Sequence, residues 1–138
     1  MPAITTLIVD DEETLRRVIQ IVLEEAGHRV LTAENGSAAL AILAGEPVDL
    51  VISDIVMPET DGIELVREIR AKYPAVKIIS MSGGGNYLTA ALCLKLADQM
   101  GASAILSKPF MPAELMERVE EALRTPNKPP RTPPAGSR

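Results

Sequence analysis

Five short apolar runs, separated by helical patterns, constrain this chain more than any other feature of its sequence. The runs lie at residues 5 to 9, 29 to 33, 49 to 53, 76 to 81 and 103 to 106. They are dense in Val, Ile and Leu and do not alternate cleanly with polar residues, as expected of strands buried on both faces of a parallel sheet. Between the runs, apolar residues return at helical spacing. Leu15, Val18, Ile19, Val22, Leu23 and Ala26 make a one-sided stripe, and Gly27 suits the turn that ends such a helix. Further helices are expected at about 37 to 44 after the Asn35-Gly36 turn signal, at about 63 to 71 with Leu65, Val66 and Ile69 inward, and at roughly 87 to 99. A fifth, about 112 to 124, opens with Pro112 at a first-turn position and buries Leu115, Val119, Ala122 and Leu123. Strict alternation of this kind predicts an open, doubly wound α/β sheet with right-handed crossovers. In such sheets the working site lies beyond the carboxyl ends of the strands, so the residues after each run carry the functional information.

Composition excludes much else. With 138 residues the chain is the size of one domain with a single core. Tyr73, Tyr87 and Phe110 are its only aromatics, so no stacking platform for single-stranded nucleic acid is available. A net charge of -5 argues against non-specific binding to nucleic acid or anionic membranes. The lone Cys93 rules out an internal disulfide and a zinc site, and the lone His28 rules out multi-histidine metal centres. Cys93 reads as a packing residue of the fourth helix, and His28 as a surface turn residue away from the acidic strand ends. No apolar stretch reaches the 18 residues of a membrane span, and no secretory leader is visible, so a cytoplasmic protein is expected. From residue 125 the composition changes to "TPNKPPRTPPAGSR", rich in proline and without acidic or large apolar residues. Residues 1–124 therefore read as the folded domain and 125–138 as an extended tail or the start of a linker.

The strand ends are concentrated in polar chemistry. The first strand runs into Asp10-Asp11, the third into Asp54 and "IVMPETDG", the fourth into Ser82 and three glycines, the fifth into Lys108-Pro109-Phe110. In the expected fold these ends converge on one edge. Two carboxylates about 4 Å apart repel by roughly 4 kcal/mol at an effective dielectric of 20. Three in one pocket therefore demand a raised pKa or a bound cation. Only oxygen donors are on offer, which favours a hard cation such as Mg²⁺, completed by waters and a phosphate oxygen.

This constellation resembles the receiver domains of two-component response regulators. The resemblance covers about residues 1 to 124 and rests on Asp10-Asp11, "SDIVMPETDGIEL" around Asp54, Ser82, and "SKPF" at 107 to 110, all in family order. It implies a flavodoxin-like (β/α)5 sheet of strand order 2-1-3-4-5. It implies that Asp54 accepts a phosphoryl group from a sensor histidine kinase or phosphotransfer protein. Asp11 and Asp54 would ligate Mg²⁺ (or Mn²⁺), with Asp10 acting through metal-bound water and the Val56 backbone carbonyl completing the protein ligands. Lys108 would pair with the phosphoryl oxygens, Ser82 would move to hydrogen-bond one of them, and the surface of the fourth helix, fifth strand and fifth helix would signal to a protein target. Pro58 and Gly62 would shape the loop after Asp54, and the Lys108-Pro109 peptide is a cis candidate. A carboxylate attacks phosphorus well only when the target's charge is neutralised, and a divalent ion with an ammonium does that.

The sequence also departs from the family pattern. The switch position three residues before the lysine, usually aromatic, is Ile105. Gly83 to Gly85 lengthen the segment after Ser82 and read as a hinge rather than a phosphate cradle, with Tyr87 just beyond. Val56 and Gly84, two residues past Asp54 and Ser82, offer no polar side chain to orient an attacking water, which predicts slow loss of the phosphoryl group. Val56 also argues against an aspartate-nucleophile phosphatase of the haloacid-dehalogenase kind, which wants a second aspartate there. Two further readings remain: a receiver-shaped scaffold working without phosphorylation, and the receiver fragment of a longer response regulator.

Overall fold

Leu7 and Val9 face one side of the first strand and Ile8 the other, and all three are fully buried. The computed structural model describes residues 3–57, 60–83, 95, 101–124 and 126. Within it, β1 (Thr5–Val9), β2 (Arg29–Ala33), β3 (Leu50–Asp54), β4 (Lys77–Ser82) and β5 (Ala104–Ser107) form one parallel sheet of order β2-β1-β3-β4-β5. This is the flavodoxin-like order. The register pairs Leu7 with Val51, Val51 with Ile78, and Ile79 with Ala104.

Helices cover both faces, which is why the strands lack polar alternation. On one side α2 (Gly36–Gly45) and α3 (Gly62–Lys72) bring Ala39, Leu43, Leu65, Val66 and Ile69 against Leu7, Val9, Val51 and Ile78. On the other, α1 (Glu13–Glu25) and a C-terminal helix (Pro112–Arg124) bring Ile19, Leu23, Leu115, Val119 and Ala122 against Ile8, Leu50, Ile52, Ile79 and Met81. Each fully buried aliphatic side chain contributes about 1.5–3 kcal/mol. The central strands β1 and β3 are thus packed on both sides, and the acidic residues at their ends sit on buried strands.

Local signals explain the element ends. Asn35 is the N-cap of α2 rather than a turn residue: its side chain accepts from the Ala38 N–H at 2.8 Å. Gly27, with φ 92°, follows α1. Strands β3, β4 and β5 each begin and end one residue later than their apolar runs. Asp54, Ser82 and Ser107 stay in the ladder because backbone pairing is indifferent to their side chains. A short antiparallel ribbon, Val56–Met57 with Thr60–Asp61, joins β3 to α3 and has no counterpart among the expected elements.

The helix expected over about 87 to 99 lies outside the described residues except for Lys95, as do Pro58, Gly84, Gly85, Tyr87, Cys93 and nearly all of the proline-rich tail. Among the described residues, no helix is long and apolar enough to cross a membrane. His28 sits where β2 begins, at the sheet edge opposite Asp10, with Nδ1 2.9 Å from Thr6 Oγ1. Burial lowers its pKa.

Candidate functional site

The carboxyl ends of β1 and β3 lie side by side in the sheet, so Asp10 and Asp54 meet although 44 positions separate them in sequence. One carboxylate oxygen from each of Asp10, Asp11 and Asp54 can be chosen so that all lie within 4.8 Å of one another. The three residues are not equivalent. Asp10 is fully buried, Asp54 is buried, and Asp11 is exposed. Asp11 is therefore the solvent-side member of a trio whose other two sit on the core.

Lys108 enters this cluster from the end of β5. Its Nζ donates to Asp10 Oδ2 at 3.0 Å and to Asp54 Oδ2 at 3.1 Å. Burial by itself would lower the pKa of this ammonium. The hydrogen bond to Asp10 and the charges of Asp54 and Asp10 override that penalty, and its pKa is raised. The chain thus carries its own cation between two of the acids, but three carboxylates against one ammonium still leave the site negative.

Asp10 uses both carboxylate oxygens within the protein: Oδ2 faces Lys108, and Oδ1 accepts from the Glu12 N–H at 2.8 Å. Its carbonyl accepts from Arg16 Nη1 at 2.6 Å, and its N–H donates to Ala33 O at 3.2 Å. A residue so fully engaged is suited to orient the site rather than to move within it. The backbone carbonyl of Asp54 accepts from Ser53 Oγ at 3.0 Å, and the next residue ties back to the sheet through Ile55 N–H to Met81 O at 2.9 Å.

Ser82 ends β4 beside Lys108, and its carbonyl accepts from the Lys108 N–H at 2.8 Å. Its Oγ is buried and, like that of Ser80, has no hydrogen-bond partner among the described residues. A buried hydroxyl without a partner costs about 1–3 kcal/mol, so Ser82 is poised to gain from an acceptor arriving at this edge. The Lys108-Pro109 peptide is cis. Gly83 lies against Lys108: a Cβ there would stand 2.5 Å from Lys108 Cβ and 2.7 Å from its carbonyl oxygen. Its glycine identity therefore serves close packing of β4 on β5, neither hinge nor phosphate cradle being needed to explain it. Gly62 is required in the same way, since a Cβ would come within 2.3 Å of Ile55 Cα. Its N–H donates to Ile55 O at 3.1 Å and folds the segment after Asp54 back over the strand end.

Val56, whose carbonyl the family resemblance implies as a metal ligand, lies two residues past Asp54 and pairs with Asp61 in the ribbon. Ile105 lies on β5, an edge strand of the sheet, and is 40% exposed. It offers an aliphatic side chain to solvent at the position expected from the sequence to act as the switch.

Arg16 was not legible as a site residue. On an amphipathic helix a charged residue reads as part of the solvated face, and only the fold brings its guanidinium back to Asp10. The same holds for Arg70 of α3, which is buried and donates to Pro74 O at 3.0 Å and to Val76 O. Burial lowers its pKa.

The comparisons with known proteins agree with this geometry. Residues 6–120 match the response regulator receiver domain family. The chain is 38% identical over 135 residues to the DNA-binding transcriptional regulator NtrC of Azospirillum brasilense, spanning 98% of this chain and 27% of that protein. It is 35% identical over 118 residues to the alkaline phosphatase synthesis transcriptional regulatory protein PhoP of Bacillus subtilis, spanning 86% of this chain and 48% of that one. The chain therefore spans about half or less of these curated relatives. Among solved structures, the chemotaxis response regulator CheY4 of Vibrio cholerae superposes with a TM-score of 0.76 at 30% identity, covering 88% of this chain and all of that one. A buried acid pair bridged by the lysine that follows the last strand, on a sheet of this order and with this match, has one consistent assignment: the chain belongs to the response regulator receiver domains.

Proposed function

We propose that this chain receives a phosphoryl group on Asp54 in a metal-dependent reaction and passes the event to a partner protein. The observation that supports it is the bridge from Lys108 to both Asp10 and Asp54 beside an exposed third carboxylate. An all-oxygen donor set, compact and still negative with its lysine in place, fits Mg²⁺ or Mn²⁺ better than a softer metal. Asp11, Asp54 and the Val56 carbonyl would hold the ion, Asp10 would act through its waters, and the ion would neutralise charge on the incoming phosphoryl oxygens. The Asp54 carboxylate then attacks phosphorus, the donor's leaving group departs, and an acyl phosphate remains on Asp54. Lys108 offers its ammonium to the new oxygens, and the unpartnered Ser82 hydroxyl donates to one of them.

The donor in this reading is the phosphohistidine of a sensor kinase or of a phosphotransfer protein. The output is a changed surface around β5, the C-terminal helix and the segment before β5. Residues 1–124 make the phosphoacceptor unit and 125–138 a tail or linker. The curated relatives are transcriptional regulators longer than this chain, which favours a receiver module of such a regulator as much as one acting alone in the cytoplasm. Catalysis is confined to the chain's own phosphorylation and its slow reversal. The test is intact mass after incubation with acetyl phosphate. Wild type with Mg²⁺ gains one phosphoryl group, and the gain disappears with EDTA; no gain under either condition contradicts the proposal.

Excess negative charge predicts a second result. Asp11→Asn removes a solvent-side carboxylate from the trio, and relief of about 1 kcal/mol at a water-like dielectric should raise the metal-free melting temperature by about 4 °C. Wild type should gain stability with millimolar Mg²⁺, whereas Asp11→Asn should lose most of that gain. Calorimetric scans with and without Mg²⁺ check both signs.

A further inference from the structure

Arg16 stands near the start of α1, where a helix favours acids over cations because its exposed amides carry partial positive charge. It is half-buried, whereas its neighbour Arg17 is exposed. Its Nη1 reaches back over the helix start to the Asp10 carbonyl at 2.6 Å, while its own N–H closes the first turn on Glu12 O at 3.1 Å. A guanidinium folded onto a helix N-terminus is tolerable here because Asp10, Asp11, Glu12 and Glu13 surround that end.

The carbonyl it holds is that of the peptide joining Asp10 to Asp11. The other polar atoms of Asp10 are fixed by Ala33, Glu12 and Lys108. Those contacts anchor Asp10, and the Glu12 bond already spans the following peptide; Arg16 adds the side-chain donor that holds this peptide's carbonyl. Rotation of that plane would swing Asp11, the exposed member of the trio, away from Asp54. A charged donor at this distance makes a strong, directional bond.

We infer that Arg16 is a positioning residue for the metal-binding carboxylates: by holding the Asp10–Asp11 peptide it sets where the Asp11 carboxylate stands relative to Asp54. The inference rests on the metal-dependent reading above. It separates Arg16 from Lys108, which faces the reacting groups themselves.

The test is titration of the full chain with Mn²⁺, the unbound ion being followed by electron paramagnetic resonance, with melting temperatures recorded alongside. Arg16→Met keeps the aliphatic stem and removes every donor. It should weaken Mn²⁺ binding by about 10- to 100-fold, the usual cost of losing a group that orients a metal ligand. Arg16→Lys, which retains a charged donor, should recover part of the loss. At saturating Mn²⁺ the rate of phosphoryl uptake from acetyl phosphate should return close to wild type, which a general loss of structure would not allow. A folded Arg16→Met protein with wild-type Mn²⁺ affinity overturns the inference, and so does a lowered rate at saturating metal with unchanged affinity. If Arg16→Met does not fold, Arg16→Gln is titrated instead, with the same opposing outcomes. Wild type that binds no Mn²⁺ overturns the metal-dependent reading itself, and the two failures are thereby told apart.

Discussion

Asp54→Asn should reduce phosphoryl uptake to background, a loss of at least about 100-fold, while leaving the fold intact. An amide of the same shape is not a nucleophile toward phosphorus, and no other carboxylate occupies its place at the end of β3. Asp10 is buried with both oxygens engaged, and Asp11 is held on the solvent side of the cluster. The variant keeps the Lys108–Asp10 bridge and loses one negative charge from a crowded site. It should therefore melt no lower than wild type, so the loss of uptake cannot be ascribed to unfolding. Time courses of intact mass with acetyl phosphate and Mg²⁺, beside circular dichroism melts, check both halves.

Lys108→Met should have the largest effect on stability. It leaves the fully buried Asp10 beside Asp54 with no ammonium between them, and breaking a buried pair from one side costs about 3–5 kcal/mol. The pH dependence follows from the raised pKa of Lys108. A cation whose pKa is higher in the folded state contributes its full stability below the ordinary lysine value and loses it as pH climbs through the raised one. The gap between wild type and Lys108→Met should thus be constant near neutrality and narrow only in strongly alkaline solution. Urea unfolding of the two proteins between neutral and alkaline pH measures the gap. A gap that already closes below the ordinary lysine range would contradict the raised pKa.

Much of this was legible in the chain, for definable reasons. Leu7, Ile8 and Val9, or Leu50, Val51 and Ile52, are consecutive aliphatics, as expected of a strand covered on both faces; their alternation with helical patterns pointed to a parallel sheet and to its carboxyl edge. Asp10, Asp54, Ser82 and Lys108 each follow such a run, so their convergence followed from topology. What escaped the sequence is what depends on approach between distant backbones. Gly83 reads as part of a flexible glycine run, yet its constraint is the Lys108 backbone across β4 and β5. The ribbon at Val56–Met57 and Thr60–Asp61 is too short to carry a periodic signal. Arg16 and Arg70 look solvated by composition, and each finds a backbone carbonyl only in the folded chain. The apolar runs stop one residue short of the last paired residues, Asp54, Ser82 and Ser107, because backbone pairing does not depend on their side chains.

Chemical trapping locates the modification itself. An acyl phosphate on aspartate is reduced by borohydride to the alcohol, converting that residue to homoserine, and peptide mass mapping then reads its position. Treated with acetyl phosphate and Mg²⁺ before reduction, this chain should show homoserine at residue 54 and at no other aspartate. A trapped residue elsewhere, or none in wild type under those conditions, would contradict the account.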